Sequence, residues 1–163
     1  MPTLSCSPDG QLHYLVDDFT DPWRQSETIL LLHGNAESGA AWYGWVPSLA
    51  RRFRVVRPDM RGFGQSTPMP RDFPWTLDII IGDFVGLMDA LGIERCGVVG
   101  HDVGGALMQP LARVAPARLA GLFFFDFVYP GIGPRMGAPD RLNHIWYQSF
   151  HQMEMAPALV GAK

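Results

Sequence analysis

The residues best suited to chemistry lie in Val98-Val99-Gly100-His101-Asp102-Val103-Gly104-Gly105. An apolar strand pattern precedes this stretch and a helical pattern follows it. That is the setting of a nucleophile elbow, a tight turn that exposes one side chain at the top of a sheet. Gly100 and Gly104 flank the turn, where a Cβ would crowd the strained backbone. Such turns usually carry serine at the tip, and here the residue is Asp102. A carboxylate is already anionic at neutral pH. It can attack an sp³ carbon bearing a leaving group and form an alkyl ester with the protein. Water must then attack the carbonyl carbon of the aspartate itself. The N–H of Val103 would face the resulting oxyanion, with a second donor from the loop after His33-Gly34. The start of the following helix favours the ionised carboxylate by about 0.3–2 kcal/mol, against an opposing desolvation cost. Asp is also a favoured helix N-cap, but a cap requires neither flanking glycines nor a strand directly before it. His101 reads as a packing and hydrogen-bonding residue, because a base next to Asp102 in sequence would sit on the wrong side of the turn.

Strands and helices must alternate to present such a turn. Gln11 to Val16 suits an opening strand, and Thr28 to Leu32 is a short apolar run typical of a strand buried on both faces. Helical spacing of apolar residues runs from Ala40 to Arg52. Arg54 to Val56 is a strand stopped by Pro58, followed by the glycine-rich Pro58 to Ser66. Thr76 to Leu91 carries the apolar stripe Leu77, Ile80, Ile81, Phe84, Leu87, Met88 and Leu91, and Gly92 ends it. Gly82 and Gly86 inside this helix each cost about 1 kcal/mol relative to Ala, so close packing is expected there. Cys96 to Val99, a helix over Ala106 to Ala115 and an apolar strand over Leu119 to Phe127 complete the pattern. The alternation predicts an α/β fold, a mostly parallel sheet with helices on both faces. Pro130-Gly131-Ile132-Gly133-Pro134, with Gly137 and Pro139, reads as a linker, and helical aromatic spacing resumes over Arg141 to Met155. The expected division is therefore a core over 1–129, then a linker and helical segment over 130–163.

The chain has 163 residues, 47% of them apolar and 18% charged, with a net charge of −3. These are globular values, and so small a charge gives no reason to expect nucleic acid or an anionic membrane as a partner. No apolar run approaches 18 residues, and the first residues lack the pattern of a signal peptide. Cys6 and Cys96 lie far apart and read as free thiols of a reducing, cytoplasmic compartment. His144, Tyr147 and His151 share a helical face, but no Cys or carboxylate completes a ligand set. Neither metal nor cofactor is expected.

His33-Gly34, Pro58-Asp59-Met60-Arg61-Gly62-Phe63-Gly64-Gln65-Ser66 and Gly100-His101-Asp102-Val103-Gly104-Gly105 resemble the α/β-hydrolase superfamily. The stretches Phe124 to Pro134 and Ile145 to Gln152 are similar to those of bacterial epoxide hydrolases. The resemblance implies part of an α/β-hydrolase fold followed by the beginning of a helical cap. It also implies a small apolar epoxide, or a related electrophile, as substrate. In that family a cap tyrosine hydrogen-bonds the epoxide oxygen, and by resemblance Tyr147 takes that role. A proton donor there suits the chemistry, since an alkoxide is a poor leaving group.

The sequence also departs from this pattern. The loop after His33-Gly34 is Asn35-Ala36, where similar enzymes usually have proline second, and Val103 replaces a frequent tryptophan. Asn35 resembles the halide-binding asparagine of haloalkane dehalogenases, but Val103 has no side-chain donor to match their tryptophan. In the superfamily, a histidine beyond the cap activates the hydrolytic water and a carboxylate orients it. None of His13, His33, His101, His144 and His151 follows a late strand. Asp126, at the end of the fourth strand, could be the orienting acid. The expectation is a truncated chain that opens an epoxide once and stays alkylated. An uncovered edge strand would invite a complementing chain or a homo-oligomer. A dehalogenase, another α/β-hydrolase and a non-catalytic binding module are the rival expectations.

Overall fold

Leu30, Leu31 and Leu32 are fully buried, as a strand covered on both faces requires. They belong to β3 (Thr28–Leu32), near the middle of a six-stranded sheet. The computed structural model describes residues 2–6, 10–127, 138–139, 144, 146–151 and 153–160. The chain divides into two units, Met1–Phe127 and Val128–Lys163.

In the first unit the other strands are β1 (Thr3–Cys6), β2 (Gly10–Asp17), β4 (Arg54–Pro58), β5 (Cys96–His101) and β6 (Leu119–Phe125). The order is β1-β2-β4-β3-β5-β6. β4, β3, β5 and β6 are mutually parallel, whereas β1/β2 and β2/β4 pair antiparallel. β1 goes beyond the sequence expectation, its four residues being too short for a periodic signal.

Strand alternation divides the apolar side chains between two cores. Leu30, Leu32, Val56 and Val98 pack with Ile81, Phe84, Leu87 and Met88 of α2 (Leu77–Ala90) and Leu107, Met108 and Leu111 of α3 (Val103–Val114). Leu31 and Val55 pack with Trp42, Val46 and Ala50 on the opposite face. Helices thus cover both faces.

The single helix expected over Ala40 to Arg52 is instead a 3₁₀ turn, Gly39–Trp42, followed by α1 (Val46–Leu49). Gly44 weakens the intervening turn. Pro47 lacks an N–H, which the second position of α1 does not need. α2 is capped by Thr76, whose Oγ1 accepts the Ile79 N–H at 3.3 Å. Gly92, at φ +65°, follows the end of α2. The packing expected around Gly82 and Gly86 is absent, since a Cβ at either position would meet nothing within 4 Å. Both lie off the buried stripe. Asp83, on that stripe, is instead buried as a bidentate partner of Arg61, with Oδ2 2.8 Å from Nε and Oδ1 2.6 Å from Nη2. α3 starts three residues before the expected helix, because the elbow brings Gly104 and Gly105 into its first turn.

β6 is the last strand of the sheet. A bulge leaves Ala120 between the pairs Cys96–Leu119 and Gly97–Gly121. Leu122, Phe123 and Phe124 are exposed, in contrast to the buried side chains of β3.

In the second unit, the helical aromatic spacing expected over Arg141 to Met155 contains the short helix Trp146–His151, and a second short helix, Ala156–Val160, follows beyond it. Trp146 and Phe150 are in ring contact, with centroids 5.7 Å apart. Of the expected linker, Pro130 to Gly137 lies outside the described residues, whereas Pro139 is described and has helical backbone; the side chains of Gln148 and His151 also lie outside the described residues. Among the described residues no helix is long and apolar enough to cross a membrane.

Candidate active site

Asp102 sits between the end of β5 and the start of α3 at φ +48°, ψ −115°, a region that a side chain disfavours. Its neighbours permit the turn. A Cβ on Gly104 would run into the carbonyl oxygen of Leu32, with the Leu32 carbonyl carbon 2.6 Å and the His33 oxygen 2.7 Å away. A Cβ on Gly100 would strike the Met108 sulfur and lie 2.7 Å from Gly104 backbone. Glycine at both positions brings α3 against the end of β3, where Gly104 N–H donates to His33 O at 3.1 Å. Asp102 N–H donates to Phe125 O at 3.3 Å, tying the turn to β6.

The Asp102 side chain makes no capping hydrogen bond to α3. Its Oδ2 instead accepts the backbone N–H of Asn35 at 2.9 Å. Ala36 follows at φ +56°. Val103 opens α3, so its N–H lies in the first turn, where helix donors lack intrahelical acceptors. Asn35 and Val103 thus lie on the two backbone segments that meet at Asp102. Asn35 contributes through its main chain.

His33 is fully buried beneath this loop. Nδ1 donates to Gly34 O at 2.8 Å and Nε2 accepts the Met60 N–H at 2.9 Å, the pattern of a neutral ring. Burial lowers its pKa below the ordinary 6.5, against weaker opposing effects of Gly34 O, Asp59 and Glu37. His33 therefore shapes the loop through its ring and positions Gly104 through its carbonyl. Asp59 braces the same region, accepting the N–H groups of Gly39 and Gln65, each at 2.7 Å, and contacting His13 Nδ1 at 2.9 Å.

His101 stacks on Phe125, with ring centroids 5.0 Å apart. Its Nδ1 lies 3.2 Å from Glu37 Oε2 and its Nε2 3.6 Å from Asp126 Oδ2. It is the packing and hydrogen-bonding residue expected beside the elbow. Asp126, at φ +48°, faces His101 from the end of β6, with most of its side chain in solvent. Glu37, which no sequence motif singled out, also accepts the Gly34 N–H at 2.7 Å. A Cβ on Gly34 would lie 2.9 Å from His101 Nδ1, 3.0 Å from Glu37 Oε2 and 3.1 Å from Asp102 Cβ, so all three side chains converge there. The only sequence hint is an acid three residues after Gly34, and nothing in that spacing pairs it with His101. Tyr147 belongs to the helix Trp146–His151 of the second unit.

A family model described as the alpha/beta hydrolase fold matches residues 27–160. Epoxide hydrolase B of Mycobacterium tuberculosis is 34% identical over 124 residues, covering 76% of this chain and 34% of that protein. The chain spans about a third of the length of the curated epoxide hydrolases it matches. A hydrolase from Pseudomonas aeruginosa superposes with a TM-score of 0.75 at 28% identity, over 98% of this chain and 56% of that one. An ancestral haloalkane dehalogenase does so with a TM-score of 0.76 at 26% identity, over 98% and 53%. Matched over most of its length by that model, with relatives among the epoxide hydrolases, the chain belongs to the α/β-hydrolase fold family.

Proposed function

We propose that Asp102 is the nucleophile of an epoxide-opening hydrolase. The observation that carries this reading is the state of its carboxylate. It is held at a strained turn, makes no capping bond, and accepts an N–H from the facing loop. Strain at a residue that does no structural capping is characteristic of a functional site. The epoxide hydrolases among the relatives supply the substrate class.

In the first step an Asp102 oxygen forms a bond to an epoxide carbon as the ring C–O bond breaks. By resemblance, Tyr147 donates its phenolic proton to the leaving oxygen. Water then attacks the ester carbonyl carbon and the Asn35 and Val103 N–H groups receive the oxyanion; collapse breaks the ester bond to the alkyl oxygen, one proton of the water completes the diol on that oxygen, the other returns to the Tyr147 phenolate, and the Asp102 carboxylate is restored. The second step needs a base. His101 is directed between Glu37 and Asp126 rather than free to accept a proton from water at the ester. These residues therefore carry out the first step well and the second poorly, and Asp126 remains the proposed orienting acid. Residues 1–129 form part of the hydrolase core and 130–163 a linker and the beginning of a cap. The free thiols Cys6 and Cys96 fit a reducing cytoplasm.

The test is intact mass after incubation with methyloxirane, with Asp102→Asn as control. One added epoxide mass on the wild type alone, persisting for hours, is expected. An unmodified wild type, or equal labelling of both, refutes the reading. A second reading, haloalkane dehalogenase, draws on the structural similarity to the ancestral enzyme and on Asn35. Halide release from a haloalkane, without epoxide labelling, would favour it. The exposed apolar residues of β6 favour a complementing chain or second copy as partner.

A further inference from the structure

Arg57 is buried in β4 on an apolar face, since Val55, two residues earlier on the same side of the strand, packs with Leu31, Trp42 and Val46. Arginine is rarely buried unless it is paired. Its Nε and Nη2 each lie 2.8 Å from Asp17 Oδ2 on the neighbouring β2, and its Nη1 donates to Gly39 O at 2.8 Å. We propose that Arg57, braced by Asp17, is a positioning residue for the loop that offers the Asn35 N–H to Asp102, a role that rests on Asp102 being the nucleophile and the Asn35 N–H a donor to its oxyanion.

Three observations support this role. The first is the residue type. A buried ion pair adds little net stability over apolar side chains of similar volume, and an apolar residue would suit this strand position. What arginine alone supplies is a rigid fork with donors on two sides. One side is taken by Asp17 and the other crosses to the loop. The second is the grip on Gly39. Its N–H donates to Asp59 Oδ1 at 2.7 Å, and a Cβ there would lie 2.8 Å from Arg57 O. Gly39 is thus seated directly on β4, with both of its backbone polar groups held. The third is the strain between the two ends of the loop. At the other end His33 Nδ1 donates to Gly34 O and Nε2 accepts the Met60 N–H. Between these anchors Ala36 stands at φ +56°. A residue stays in such a conformation only while its surroundings enforce it. Freeing Gly39 O lets Ala36 relax, which draws the Asn35 N–H, 2.9 Å from Asp102 Oδ2, off the carboxylate.

Arg57→Met removes the fork and keeps an apolar stem. Arg57→Lys keeps a charge beside Asp17, but one ammonium does not span Asp17 and Gly39 O as the fork does. In amide NMR spectra the Asn35 proton should move upfield in both variants, as a donor freed from a carboxylate does. The Val103 amide, on the other segment, should stay in place. Alkylation of Asp102 by methyloxirane, measured where each variant is fully folded, should slow at saturation by about tenfold, the effect of one hydrogen bond to a charged group. The half-saturating concentration should stay within about twofold, because Arg57 touches no substrate. Should Arg57→Met not fold, Arg57→Lys carries the same readouts. An Asn35 amide that does not move in Arg57→Lys, or that moves together with Val103, overturns the proposal. So does an unchanged saturating rate alongside lost stability, the mark of a purely structural ion pair. A wild type that methyloxirane leaves unmodified, with Asn35 displaced as expected in the variants, supports Arg57 as the positioner of the loop while sinking the nucleophile reading.

Discussion

Gly104→Ala tests the structural premise of the site. A Cβ there lands on the backbone of Leu32 and His33, with the Leu32 carbonyl carbon at 2.6 Å and the His33 oxygen at 2.7 Å. Backbone cannot swing aside as a side chain can, and ordinary contact begins near 3.4 Å. The first turn of α3 must therefore retreat by nearly 1 Å, roughly the gap between those distances. The Gly104 N–H to His33 O bond, already 3.1 Å, then breaks. Overpacking costs about 1–3 kcal/mol and the lost bond about 1 kcal/mol, so the loss is about 2–4 kcal/mol. In a chain of this size that lowers Tm by roughly 5–15 °C. The retreat carries Asp102 away from Asn35 N–H, and a misplacement of about 1 Å slows reaction by about 100-fold. Urea unfolding followed by circular dichroism measures the first effect, and intact-mass alkylation kinetics the second. Gly82→Ala is the control. Its Cβ enters open space on an exposed helix face, so it should stabilise by up to about 1 kcal/mol. Gly104→Ala within about 0.5 kcal/mol of wild type, with unchanged alkylation, would refute the claim that α3 is pinned on β3.

Glu37→Ala removes the acceptor of Gly34 N–H and the partner of His101 Nδ1. Because the site is half-buried, a loss near 1 kcal/mol is expected by urea unfolding, with amide shifts confined to Gly34, Asn35 and the elbow. Asp83→Ala leaves the buried Arg61 guanidinium without its carboxylate and should destabilise by about 3–5 kcal/mol, whereas Asp89→Ala, an exposed acid on the same helix, should cost well under 1 kcal/mol. His33 binds its proton more weakly folded than unfolded, so between the two pKa values the unfolded chain carries more protons. Its contribution is complete above the unfolded value of about 6.5 and declines as pH falls below it toward the folded value. Urea midpoints between pH 7.5 and 5 should fall, and His33→Asn should flatten that part of the profile. An unchanged slope in the variant would assign the acid sensitivity to another group.

Much of this protein follows from local pattern. The apolar run of Thr28–Leu32, the Thr76 cap, the Gly92 stop and the elbow glycines are legible because each is set by neighbouring residues through strand period, cap chemistry or the space a Cβ needs. The same locality explains where pattern reading missed. It ran one helix through Gly44 and Pro47, which interrupt it, and credited Gly82 and Gly86 with packing that α2 does not make there. What the tertiary structure alone decided are the meetings of distant segments. Asn35 N–H reaches Asp102 across 67 positions, Glu37 reaches His101 across 64, and Arg61 reaches Asp83 across 22. Parallel pairing of β3 with β5 brings the loop after β3 to the elbow after β5. No spacing rule within one segment encodes which side chains such a register brings face to face. The elbow and its proposed nucleophile, Asp102, were therefore visible in the sequence, whereas the neighbouring Glu37 and aromatic side chains met it only when the sheet was assembled.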